Sequence, residues 1–214
     1  MPESSTPRLL GATQLVQEQQ NGALILDTRT AEQFASLHIR GSLQISLVGH
    51  FAAWAALLID REQKLLLVAE DLGDVEEAVS RLSRVGLHLI VGCSIADENK
   101  WRDLGIDLAS IPVQRTEDIR SSGQSDSTLQ LIDVRSRAEW LKGNLPGALS
   151  LPLLDIDSNM RTIDPSKQSL IYCHEGLRAT TAASILLRKS SAHIGILIDG
   201  IEGWLSSGRP LEMP

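Results

Sequence analysis

Residues 170–182 read LIYCHEGLRATTA, an apolar run that meets Cys173, with Gly176 and Arg178 close behind and an Ala-rich stretch after them. This order predicts a strand, a short loop and the start of a helix. Backbone amides converge at such a junction and the helix dipole adds partial positive charge, so the junction suits an anion. A cysteine at its mouth ionises readily, thiolate pKa values of about 3.5 to 7.5 being typical of these settings. Arg178 places a full positive charge one helical turn on, where it would hold a thiolate and orient an anionic substrate. Cys173 is therefore the candidate nucleophile, and His174, Glu175, Gly176, Leu177 and Arg178 form the candidate binding loop. The competing structural reading makes Cys173 a small buried hydrophobe and Arg178 a surface residue. The joint presence of strand, Cys, Gly, Arg and helix favours chemistry.

The elements that must position this loop appear twice. Asp27, Arg29, Phe34 and Gly41 stand against Asp133, Arg135, Trp140 and Gly147, each pair 106 residues apart. Val75, Ala78, Val79 and Leu82 match Ala179, Ala182, Ala183 and Leu186 at a spacing of 104, and Trp101 matches Trp204 at 103. The pattern reads as a tandem duplication. Short apolar runs alternate with helical patterns in each copy, which predicts a parallel sheet covered by helices. LILD, LQIS, LLLV and HLIV read as strands in the first copy, and LQLI, LSLP, SLIY and GILI in the second. Apolar residues at 179, 182, 183, 186 and 187 form the stripe of a helix packed on a sheet.

The expected fold is thus α/β, with two domains, 1–110 and 111–214, each a parallel sheet flanked by helices on both faces. RSSGQSDST, residues 120–128, looks like a linker, but its counterpart EQQNG at 18–22 makes it the end of a first helix. Asp133 and Arg135 fall at a strand's C-terminal end, where α/β folds place their sites, and stand as supporting residues. Arg135 and Glu139 are four apart, the spacing of a helix-surface ion pair. Phe34, Trp101, Trp140 and Trp204 read as core or capping residues.

Composition narrows the function classes. The chain has two cysteines, Cys93 and Cys173, in no C-x-x-C pair, so no disulfide framework is expected and a reducing cytoplasm is the natural setting. The five histidines show no metal-ligand spacing, so neither metal nor cofactor is expected. A net charge of -7 without clustered Lys and Arg disfavours nucleic acid. No apolar run approaches the roughly 18 to 20 residues of a membrane span, and MPESSTPRLL lacks the features of a signal peptide. Small molecules or proteins are the expected partners, in the cytoplasm. No motif speaks to oligomeric state.

The second copy resembles a rhodanese (sulfurtransferase) homology domain over its whole length. The residues that carry the likeness are Asp133 with Arg135, the turn from Gly143 to Ala148, the loop C-x-x-G-x-R from Cys173 to Arg178, and the closing G-x-x-x-W from Gly200 to Trp204. The first copy is similar but carries Ala69 where Cys173 stands and Asp74 where Arg178 stands, with Glu70 and Asp71 between them. It is expected to be catalytically inactive, its acids suiting a helix N-terminus. Cys93, in LIVGCSIADENKW, reads as core packing. The tandem form also resembles the C-terminal half of fusions that carry a metallo-β-lactamase-fold persulfide dioxygenase in front, although no such domain lies in these residues.

The resemblance implies that the Cys173 thiolate takes a sulfane sulfur from thiosulfate or a low-molecular-weight persulfide and passes it to a thiol, sulfite or cyanide, in ping-pong fashion. A persulfide-handling protein is a further implied partner. Two other classes compete. Phosphatases and arsenate reductases on this fold resemble C-x-x-x-x-x-R, whereas only four residues separate Cys173 from Arg178, a tighter ring that fits a single sulfur better than a tetrahedral oxyanion. A non-enzymatic binding or regulatory module suits the first copy but not an intact Cys173, Gly176 and Arg178.

Overall fold

The structure, a computed structural model, describes residues 7–119, 128–189 and 193–214. Its internal contacts divide the chain into two compact units, Met1–Ser110 and Ile111–Pro214.

In the first unit the order is α1 (Ala12–Gln20), β1 (Leu24–Asp27), α2 (Ala31–Ser36), β2 (His38–Ile39), β3 (Leu43–Gln44) and α3 (Phe51–Leu58). It continues through β4 (Leu65–Ala69), α4 (Leu72–Ser83), β5 (Ile90–Ile95), α5 (Glu98–Asp103) and β6 (Leu108–Ala109). Strands β3-β1-β4-β5 form a parallel sheet in that spatial order, and β2 pairs with β6 antiparallel. β1 and β4 are buried at every residue, as a parallel strand covered on both faces must be. Alternation along the strands sends Ile25, Leu66 and Val68 to one face, where they pack with Leu15 of α1 and Trp101 of α5. The opposite face meets α4, through Val75, Ala78 and Leu82.

The second unit runs β7 (Val113–Gln114), β8 (Leu129–Asp133), α6 (Arg137–Trp140), β9 (Leu149–Ser150), α7 (Ile156–Asn159) and β10 (Gln168–Tyr172). It ends with α8 (Leu177–Lys189), β11 (Ile194–Leu197) and α9 (Gly200–Ser206). The sheet is again parallel, in the order β7-β11-β10-β8-β9. The first unit follows the same path: Leu9, 104 residues before Val113, bridges Cys93 of β5 as β7 bridges β11. Leu170, Tyr172 and Leu197 pack with Ile201 and Trp204 of α9 on one face. α8 covers the other, its buried Ala179, Ala182 and Ala183 allowing close approach to β10 and β11.

Several expected strands differ in extent. LQIS and LSLP pair for only two residues each: Ile45 and Leu151 still donate to the carbonyls of Asp27 and Asp133, but the Arg29 and Arg135 amides that would make the next rung donate to the Asp27 and Asp133 carboxylates. HLIV is displaced: β5 starts at Ile90 and runs to Ile95, the pairing shifting register between Leu65 and Leu66. The helix end expected at 120–128 lies, up to residue 127, outside the described residues. Before it, Thr116–Asp118 form a single 3-10 turn.

Candidate active site

β10 ends at Tyr172 and α8 begins at Leu177, so residues 173–176 form the loop between them. Two glycines shape it. Gly176 has φ +83, and a Cβ there would lie 2.5 Å from the Ile198 carbonyl oxygen. Gly200, at φ +53, passes under the loop so closely that a Cβ would lie 2.5 Å from the Cys173 carbonyl oxygen. That approach lets α9 hold the loop from below: Ile201 N–H donates to the Cys173 carbonyl (3.0 Å) and Glu202 N–H to the His174 carbonyl (3.4 Å).

With those carbonyls taken, the loop's donors stay open. Among the described residues, no protein acceptor takes the backbone amides of His174 to Arg178. Cys173 stands at the head of this set and is 1% exposed, whereas His174 and Glu175 face solvent. His174 Nδ1 lies 3.1 Å from Glu202 Oε1, tying the loop's rim to α9. Leu177 is half-buried at the start of α8.

Arg178 is not a free charge. Its Nη1 and Nη2 each donate to one oxygen of Glu139, both at 2.8 Å. This hydrogen bond, opposed by burial and helped by Ser136, holds the Glu139 carboxyl down at about 2. The same bond raises Arg178. Glu139 is itself set by the Ser136 hydroxyl and amide, which donate to its Oε2 at 2.7 and 3.0 Å in a capping box that starts α6.

Arg135 therefore does not pair with Glu139. It turns back onto Asp133, donating from Nε (3.0 Å) and Nη2 (2.6 Å), and its Nη2 also reaches the Gly143 carbonyl at 2.8 Å. The helix-surface pair fails because α6 is only four residues long and Arg135 precedes it, outside the helix. Asp133 and Arg135 are buried and spend these hydrogen bonds on one another and on the turn at Gly143. Tyr172 caps the same corner, accepting from Leu145 N–H at 3.1 Å, and burial pushes its phenol up, so it stays neutral.

The corresponding junction of the first unit is built otherwise. α4 starts at Leu72, and the Asp71 carboxylate caps it by accepting the Asp74 amide at 2.9 Å. Burial first, then the charges of Asp71 and Glu77, push the Asp74 carboxyl up. Cys93 lies buried in β5 against the Pro7 and Arg8 carbonyls, and desolvation raises its thiol. Among the described residues no group of three or more His, Cys, Asp or Glu could hold a metal ion, and no helix is long and apolar enough to cross a membrane.

The geometry places a buried cysteine before an open set of amides at the end of a strand in a parallel α/β sheet. The model of the rhodanese-like domain matches residues 117–207. A sulfurtransferase of Allochromatium vinosum is 33% identical over 84 residues, covering 39% of this chain and 78% of that protein. YrkF of Bacillus subtilis is 26% identical over 96 residues, covering 45% of this chain; the chain spans about half, 52%, of its length. A rhodanese-like domain protein from Staphylococcus aureus, solved by crystallography, matches with TM-score 0.43 at 21% identity, over 49% of this chain and 99% of that one. The chain belongs to the rhodanese-like family, and its relatives include sulfurtransferases.

Cys173 and residues 174–178, contiguous in the sequence, form the loop after β10 and the first turn of α8 in the structure. Glu139 meets Arg178 and not Arg135, the partner its spacing of four offers, and Gly200, the first residue of the closing motif, supports the loop directly. The signal for Glu139 was partly present, since S-x-x-E at 136–139 is a capping box, but nothing in the local spacing links it to an arginine 39 residues on.

Proposed function

We propose that the chain is a sulfurtransferase that carries a sulfane sulfur on Cys173. The observation that carries this reading is the set of amides from His174 to Arg178, open among the described residues and headed by the cysteine. The Cys173 thiolate attacks the outer sulfur of thiosulfate or of a low-molecular-weight persulfide. A new S–S bond forms to Sγ, the donor's S–S bond breaks, and sulfite or a thiolate leaves with the bonding pair. The terminal sulfur of the Cys173 persulfide then carries the negative charge, and the open amides stabilise it as an oxyanion hole stabilises oxygen. An acceptor thiolate, sulfite or cyanide attacks that sulfur and regenerates the Cys173 thiolate.

The first unit, on this reading, is a second copy of the domain without a nucleophile, since Ala69 occupies the cysteine's place. The shared strand path and the shared Asp-x-Arg corners support a tandem duplication with an inactive first domain, 1–110, and an active second, 111–214. Reducing cytoplasm is the setting that keeps Cys173 available.

One observation favours a second reading. Cys173 is 1% exposed, as expected of a small core residue in a non-enzymatic binding module. Intact-protein mass spectrometry after incubation with thiosulfate, and separately with glutathione persulfide, decides between them. Gain of one sulfur atom that is absent in Cys173→Ala and removed by sulfite or cyanide is the expected result. No gain from either donor would make the loop a binding site.

A further inference from the structure

We propose that Glu139 is a positioning residue for sulfur transfer, locking Arg178 so that the loop's amides are held in register, and that Arg178 acts through this lock rather than by reading the donor's charge. The inference rests on the sulfur-transfer reading of Cys173.

The argument begins with how both nitrogens are used. Nη1 and Nη2 of Arg178 face the two oxygens of Glu139 in the bidentate form that gives an arginine–carboxylate pair its geometric specificity. The pair is neutral as a whole, so little positive charge is left for a dianion. Its anchor is rigid. Asp133 and Arg135 fix the end of β8 to the Gly143 turn, Ser136 fixes Glu139, and Glu139 fixes Arg178 at the first turn of α8. Two sets of hydrogen bonds, one on each side of the Arg135–Ser136 peptide, thus tie the end of β8 to the end of the Cys173 loop.

The first unit separates capping from locking. Gln33, 106 residues before Glu139, closes the same capping box with Thr30, its Oε1 accepting the Thr30 amide at 3.0 Å and its amide donating to the Thr30 hydroxyl at 3.2 Å. Capping asks only for an amide oxygen. The carboxylate at 139 therefore answers Arg178, and where Asp74 replaces the arginine the carboxylate is gone as well. Both partners change together, at the junction that also lacks the nucleophile.

The test uses the full chain and follows Cys173 loading by intact mass against donor concentration, with thiosulfate as dianion and a monoanionic alkyl persulfide. Variants are Glu139→Gln, Arg178→Gln and the exchanged pair Glu139→Arg with Arg178→Glu. Each single variant is expected to lower the limiting loading rate by about 10- to 100-fold, the scale of a small misplacement. The factor should be the same for both donors, with half-saturating concentrations unchanged and partial recovery in the exchanged pair. A loss in Arg178→Gln confined to half-saturation by thiosulfate would overturn the proposal, as would wild-type loading in Glu139→Gln. Wild type that takes sulfur from neither donor would instead remove the sulfur-transfer reading. Hydrogen exchange at amides 174–178 keeps the lock testable in that case: faster exchange in Glu139→Gln supports it, and unchanged exchange overturns it.

Discussion

Set side by side, the junctions after β4 and after β10 differ in what occupies the first amides of the following helix. Asp71 fills its own helix start with a carboxylate, whereas the Cys173 loop leaves its amides open and borrows its rigidity from Gly176, Gly200 and α9. The corners beneath them are alike. Arg29 reaches Asp27 and the Leu37 carbonyl at 2.7 and 2.8 Å, as Arg135 reaches Asp133 and the Gly143 carbonyl at 2.6 and 2.8 Å. A motif kept in both units, whether or not a nucleophile is present, serves the fold. On the sulfur-transfer reading, what differs between them marks the chemistry: the cysteine, the open amides, the two glycines and the Glu139–Arg178 pair.

The largest expected break in this comparison comes from Gly176→Ala. Leu72 holds the matching place in the first unit without a positive φ, since its helix has already begun. At 176 a side chain meets the Ile198 carbonyl as well as an unfavourable φ. Gly176→Ala is expected to cost about 1–3 kcal/mol in urea melts, the cost of a strained backbone position, and to suppress sulfur loading almost as fully as Cys173→Ala. Loading at the wild-type rate would show that the loop's shape is not what readies Cys173.

A smaller effect sharpens the same contrast. Asp71→Ala removes the cap of α4 and should cost about 1 kcal/mol, measured as a shift in the denaturant midpoint. Sulfur loading of Cys173 should not change, because Asp71 serves only its own helix. A fall in loading would mean that the acidic junction has a part in transfer.

Legibility in the sequence followed the range of the interactions. The strand–loop–helix at 170–182 was readable because its strand, turn glycine and helix stripe are contiguous, each local preference agreeing with the next. The short edge strands were not, since β3 and β9 end where the Asp27 and Asp133 carboxylates take the Arg29 and Arg135 amides. Arg135 misled for a related reason: spacing of four means a pair only inside a helix, and α6 starts too late to include it. Glu139 and Arg178 meet across separate elements, a contact fixed by the sheet and not by spacing. Gly200 acts by letting α9 approach the loop, which no one-dimensional pattern reports.

The smallest predicted effect is a difference in acid response. His38 is buried in the first unit, its ring stacked 3.9 Å from Phe34 and its Nδ1 bonded to the Phe34 carbonyl. Burial lowers its pKa from 6.5, so the folded protein keeps it neutral after the unfolded chain has taken up a proton. Its contribution is complete above about pH 6.5 and declines as pH falls below that value. Asn144 holds the matching place in the second unit and does not titrate. There Glu139 is the carboxyl held down, and its contribution is complete above pH 4.5 and disappears as pH falls toward about 2. Hydrogen exchange on the full chain between pH 7 and pH 5 should therefore show protection, corrected for intrinsic rates, falling in β1 and β4 but holding in β8 and β10. His38→Asn is expected to bring the two into line. Equal loss in both units across that interval would remove His38 as the cause, and would leave the difference between the units confined to the loop.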